Sequence, residues 1–186
     1  LDMLDDLMQK GYRLIESDEE DTLQNYHDAL VIWEKTWDYI KRMMDQLGIS
    51  DIASFDKVFA GTQSIYNWAT DYDAELEDAI FGDPEMTGQR ISFCSEFIAR
   101  FKDKKDSIVR DMARTVASYH YQMGNTDMGS EVLSAHLQED PQWGMGWVIW
   151  ADKHYFNEEE TGIKDAEKAI HILKEGLAVP ELQDRR

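Results

Sequence analysis

The chain has 186 residues, 42% of them hydrophobic, with six Trp, eight Tyr and seven Phe; that much apolar and aromatic material excludes a disordered chain and suffices for one well-buried core. Asp and Glu number 38 against 19 Lys and Arg, and the net charge of −19 repels phosphate backbones and anionic membrane surfaces, which argues against nucleic acid or a membrane as partner. Cys94 is the only cysteine, which excludes an intrachain disulfide and a multi-cysteine zinc site and fits a reducing cytoplasm.

Only three prolines and eleven glycines interrupt the chain, and apolar residues recur at helical spacing, so the expected class is all-α in a single domain over 1–186. No run approaches the roughly 18 apolar residues of a membrane helix, and LDMLDDLMQK has neither the basic region nor the apolar core of a signal peptide. Leu4, Leu7, Met8, Tyr12 and Ile15 form a first helical stripe, with Gly11 allowing a partner helix to approach closely. After an acidic turn at Ser17–Asp21, Tyr26, Leu30, Trp33, Trp37, Ile40, Met44 and Leu47 form a second stripe that Gly48 ends. These two helices make a hairpin over 1–48. A second hairpin, 54–102, begins with one stripe from Phe55 through Val58, Phe59, Thr62, Ile65, Ala69, Tyr72, Leu76 and Ile80, broken by Gly82-Asp83-Pro84. Its partner carries Ile91, Cys94, Ile98 and Phe101 inward, with Phe97 beside them. A third hairpin spans 107–140, turning at Gly124-Asn125, and a fourth spans 142–179. In the fourth, Trp143, Trp147, Trp150, Ala151 and Tyr155 lie on the first helix, with Trp147 and Trp150 on its packing side, and Ala166, Ala169, Ile170, Leu173 and Leu177 are expected to be buried on the second, across an acidic loop at Asn157–Gly162.

Arg110–Trp143 resembles a tetratricopeptide repeat. In register, Ala117 takes the small place where the two helices cross, Gly124-Asn125 the turn and Asp140-Pro141 the closing pair; Trp147 and Ala151 repeat the pattern in the next unit. Gly129 and His136 stand where the family has small alanines, and the first two hairpins follow by analogy of size and periodicity only. The layout, with WEKTWDYI and GTQSIYNWATDYDAEL, is also similar to uncharacterised bacterial tetratricopeptide-type proteins, some of which carry a cysteine-rich zinc motif named SEC-C; no such cysteines are present here.

The resemblance implies a right-handed array of about four antiparallel hairpins, an α-solenoid whose concave face binds a peptide or protein. Family positions transfer to Asp111, Arg114, Ser118, Tyr121 and Gln122 on the third hairpin and to Met145, Val148, Asp152, Tyr155 and Phe156 on the fourth. Arg114 is the lone cation there, so the Lys and Asn carboxylate clamp of the chaperone-tail-binding members is absent. In the second hairpin, Gln63, Tyr66 and Asn67 offer amides and an aromatic ring to a peptide, against the blander reading of a solvated face.

Catalytic signals are weak. The five histidines lack the spacing of a di-iron bundle site; His154 and Glu158, four apart, are weighed as a metal pair and read as an ordinary surface pair. Cys94 lies between Ile91 and Ile98 and reads as a buried thiol. Trp143, after Pro141, is expected to be partly exposed, unless it caps the joint between repeats. The expected function is therefore a non-catalytic binding scaffold without cofactor. A helical carboxylate and histidine metal site is one alternative, and a structural module whose last helix docks a second copy or a further domain is another.

Overall fold

A computed structural model describes residues 2–17, 22–101, 103–156 and 162–183, apart from the side chains of Thr22 and Leu23. The acidic turn beyond Ser17, the loop at 157–161 and Glu158 lie outside the described residues. Every regular element among the described residues is helical, as expected, and none of these helices is long and apolar enough to cross a membrane. The chain divides into two compact units, Leu1–Arg90 and Ile91–Arg186, with the boundary inside the second helix of the hairpin expected over 54–102.

In the N-terminal unit, α1 (Asp2–Ile15) and α2 (Thr22–Leu47) pair as the expected hairpin. Gly11 is needed there because a Cβ would overlap the Trp33 indole, which donates from Nε1 to the Met8 carbonyl at 3.2 Å. Trp33 meets Tyr12 edge-on at 4.9 Å, Trp68 at 6.2 Å and Tyr72 at 5.8 Å, so one fully buried ring organises the core.

The single helix expected from Ser54 to Phe81 is instead two, α3 (Ile52–Phe59) and α4 (Ile65–Gly82). Asp51 caps α3 by accepting from the Ser54 amide; Ala60 then turns into the left-handed region at φ 48°, and Ser64 caps α4 by accepting from the Asn67 amide. Asp56 accepts from the Ile65 amide at 2.7 Å, and Asp5 accepts from both the amide and the hydroxyl of Thr62 at 2.8 Å. Those bonds replace the helical ladder that an unbroken stripe implied, and they leave Val58 and Thr62 exposed.

Within the C-terminal unit, the part of α5 (Met86–Arg100) beyond Arg90 buries Phe93, Cys94 and Phe97, while Ile91 and Ile98 are only half-buried, so the inward stripe is rotated from the expected one. α6 (Ser107–Gln122) and α7 (Thr126–Glu139) form the third hairpin, with Asp106 capping α6 and Gly124 turning at φ 75°. α8 (Gly144–Tyr155) and α9 (Ala166–Leu177) form the fourth, and α8 also touches both α6 and α7. On α9 the face against α8 is Ala169, Ile172 and Gly176, whereas Ile170 and Leu177 stay half exposed. The cause is Trp147, whose ring lies where a Cβ of Gly176 would be, which turns the contact face away from the expected stripe.

Candidate functional site

Two polar joints hold α6, α7 and α8 together, and both are interior. At the end formed by the C-termini of α6 and α8, the Tyr121 hydroxyl shares hydrogen bonds with Ser130 Oγ at 2.7 Å and His154 Nε2 at 3.1 Å. Trp150 Nε1 donates to Ser130 Oγ at 3.3 Å. The expected groove contact Tyr121 is thus a core residue at 0% exposure: a small glycine at 129 lets α7 approach until its backbone covers the Tyr121 ring, and the phenol spends its polarity inside. His154, expected in an ordinary surface pair with Glu158, is likewise interior, being 3% exposed. Burial, with the Lys168 charge adding to it, pushes its pKa down to about 4, so the ring is neutral at physiological pH. The 3.4 Å contact between Ser130 Oγ and His154 Nε2 is longer than the bond that each makes to Tyr121. Among the described residues no group of three or more His, Cys, Asp or Glu is placed to hold a metal.

At the opposite end, Asp140 is fully buried and its Oδ2 accepts from Arg110 at 2.8 Å and 2.6 Å. Arg110 also lies over the Trp143 ring at 5.7 Å and donates to Gln183 Oε1 at 3.2 Å. Trp143 is therefore buried, at 6%, as the cap of the joint rather than partly exposed. His136, the second departure from the repeat pattern, packs edge-on against Trp143 at 5.2 Å and donates from Nε2 to the Lys104 carbonyl at 2.8 Å. The larger ring fits because it bridges to the segment before α6, where an alanine would reach nothing.

These joints fix the direction of the helices. Arg110 and Trp143 meet at the N-terminal ends of α6 and α8, and Tyr121 and His154 at the C-terminal ends, so the two helices run parallel. The outward stripe of α6 carries Asp111, Arg114, Ser118 and Gln122; Arg114 and Asp111 are exposed and pair with each other at 3.5 Å. That of α8 carries Met145, 49% exposed, Val148, 41% exposed, half-buried Asp152 and Tyr155, and Phe156, 71% exposed. Tyr155 and Phe156 meet edge-on at 5.0 Å.

Within the N-terminal unit, Asn67 is exposed but donates to Gln63 Oε1 at 2.9 Å, so each amide uses part of its capacity on the other, and Tyr66 is half-buried. Ser130 is a structural partner for which the sequence carried no signal, whereas Asp140, in the closing pair, and Trp150, on the packing side of its helix, were placed by the sequence without these bonds. The chain matches no family model, no curated protein and no solved structure.

Proposed function

We propose that this chain is a tetratricopeptide-like repeat protein whose C-terminal unit binds a peptide or protein segment, without catalysis, on the face shared by α6 and α8. The observation that carries this reading is the apolar stripe of Met145, Val148 and Phe156, left exposed beside the polar stripe of a parallel helix. Contiguous apolar surface is a recurrent mark of interaction sites, and mixed polarity across two neighbouring helices suits an extended or helical segment. The parallel course of α6 and α8, with α7 packed on both, is the arrangement that stacked hairpins generate. Tyr121 and His154 support the reading from beneath, since they lock the two helices at a fixed spacing and preorganise the face.

Selection of random dodecapeptides on the intact chain tests it. Peptides that bind should lose about tenfold or more in affinity for Met145→Glu with Val148→Glu, a double variant whose helical circular dichroism stays unchanged. Equal binding to the variant overturns the assignment. A second reading is favoured by Ile170 and Leu177, exposed at 51% and 56% on α9, which suit docking of a second copy of the chain. Sedimentation at increasing concentration distinguishes it, because a dimer through α9 is lost in Ile170→Glu and indifferent to the α8 variant.

A further inference from the structure

We infer that the ligand of the α6 and α8 face is an amphipathic segment carrying a Lys or Arg that pairs with Asp152 while its apolar neighbours cover Val148 and Phe156; the inference rests on the reading of that face as the binding surface. Asp152 lies four residues after Val148 and four before Phe156, in the middle of the exposed stripe. It is half-buried, yet its carboxylate makes no ion pair or side-chain hydrogen bond with a described residue.

Four other sheltered carboxylates of the molecule each have at least one partner, although the second oxygen of buried Asp140 accepts no bond. Asp73 accepts from Arg90, Asp140 from Arg110, Asp71 from the Tyr12 hydroxyl and Asp56 from the Ile65 amide. Asp152 has no such partner among the described residues. Its surroundings already strip part of its water, which pushes the carboxyl up from its ordinary range, and the adjacent Lys153 charge only partly offsets this. Across the face, Arg114 is engaged by Asp111 and does not reach it as a described partner. A cation delivered by a ligand meets a carboxylate whose desolvation is partly complete before binding, so the pair loses less water than an exposed one and gains more. The overall charge of −19 acts in the same direction, drawing basic segments in and repelling acidic ones.

The same dodecapeptide selection tests this with different arms. Selected peptides should carry at least one Lys or Arg flanked by apolar residues. In a synthetic copy of a selected peptide, replacing that residue by Gln should weaken binding to the native chain about tenfold, and should have little effect on binding to Asp152→Asn. Raising salt should weaken the native complex more than the variant complex. Peptides that depend on Met145 and Val148 but show no basic residue, or that bind Asp152→Asn as tightly as the native chain, overturn this inference and leave the function standing. Selection that yields no peptide sensitive to Met145→Glu with Val148→Glu overturns both.

Discussion

The two units solve the problem of a small core with opposite materials. The N-terminal unit builds its centre from rings, with Trp33 touching Tyr12, Trp68 and Tyr72 and donating to the Met8 carbonyl, while its ties between side chains are part-buried or exposed, where Tyr12 donates to Asp71 at 2.6 Å and Arg90 grips Asp73 and Glu77. The C-terminal unit puts polar groups inside, in the Tyr121, Ser130 and His154 contact and the Arg110 and Asp140 pair. Charge divides them as well: residues 1–90 carry 21 acidic against 7 basic side chains, net −14, whereas 91–186 carry 17 against 12, net −5. Ring packing is strong and weakly directional, while buried hydrogen bonds are modest in net energy and demanding in geometry. The unit with the demanding geometry is the one that presents the exposed apolar stripe.

If that contrast is right, the largest effect belongs to the ring at the centre of the N-terminal unit. Trp33→Ala should lower the stability of the intact chain by about 3–5 kcal/mol in urea unfolding; a loss under about 1 kcal/mol would break the comparison by showing that no single ring dominates. The next effect is proton-linked and belongs to the C-terminal unit. His154 has a folded-state pKa of about 4 against an ordinary 6.5, so the unfolded chain takes up the proton first as acidity increases. Its contribution is whole above about pH 6.5 and disappears as pH falls towards 4, by up to about 3 kcal/mol. His136 shifts in the same direction, whereas the raised carboxyls of Asp56, Glu75, Asp106 and Asp152 stabilise the folded state as pH falls. The informative quantity is therefore the difference between the native chain and His154→Asn, whose stability profiles should converge towards pH 4. The smallest effect sharpens the point. Tyr121→Phe keeps the ring and deletes its two hydrogen bonds, and should cost about 1–2 kcal/mol; a neutral result would make the inner polar joint incidental.

Much of the helical layout was legible because it rests on short-range signals. The pairing of α1 with α2, the need for glycine at 11 and the turn at Gly124 follow from periodicity and local backbone preference. What escaped depended on contacts remote in sequence. The apolar stripe runs unbroken through Val58 and Thr62, and only the bonds from Asp5 and Asp56 divide it into α3 and α4. Tyr121 was assigned to the surface by family register, whereas its neighbours Ser130 and His154, from two other helices, draw it inward. The face of α9 was misjudged because Gly176, which receives Trp147, has no side chain and so no weight in a hydrophobic pattern. Of the positions nominated for binding, Arg114 is exposed and Ser118, Asp152 and Tyr155 are half-buried.

Cys94 is the only thiol in the chain and is fully buried on α5, the helix in which the boundary between the units falls. It is consequently a built-in clock for local opening. A thiol reagent can label the native chain only when that stretch of helix separates from its packing, so the labelling rate at saturating reagent reports how often α5 opens around Cys94. No engineered probe is needed, and the native sequence supplies its own blank after Cys94→Ala.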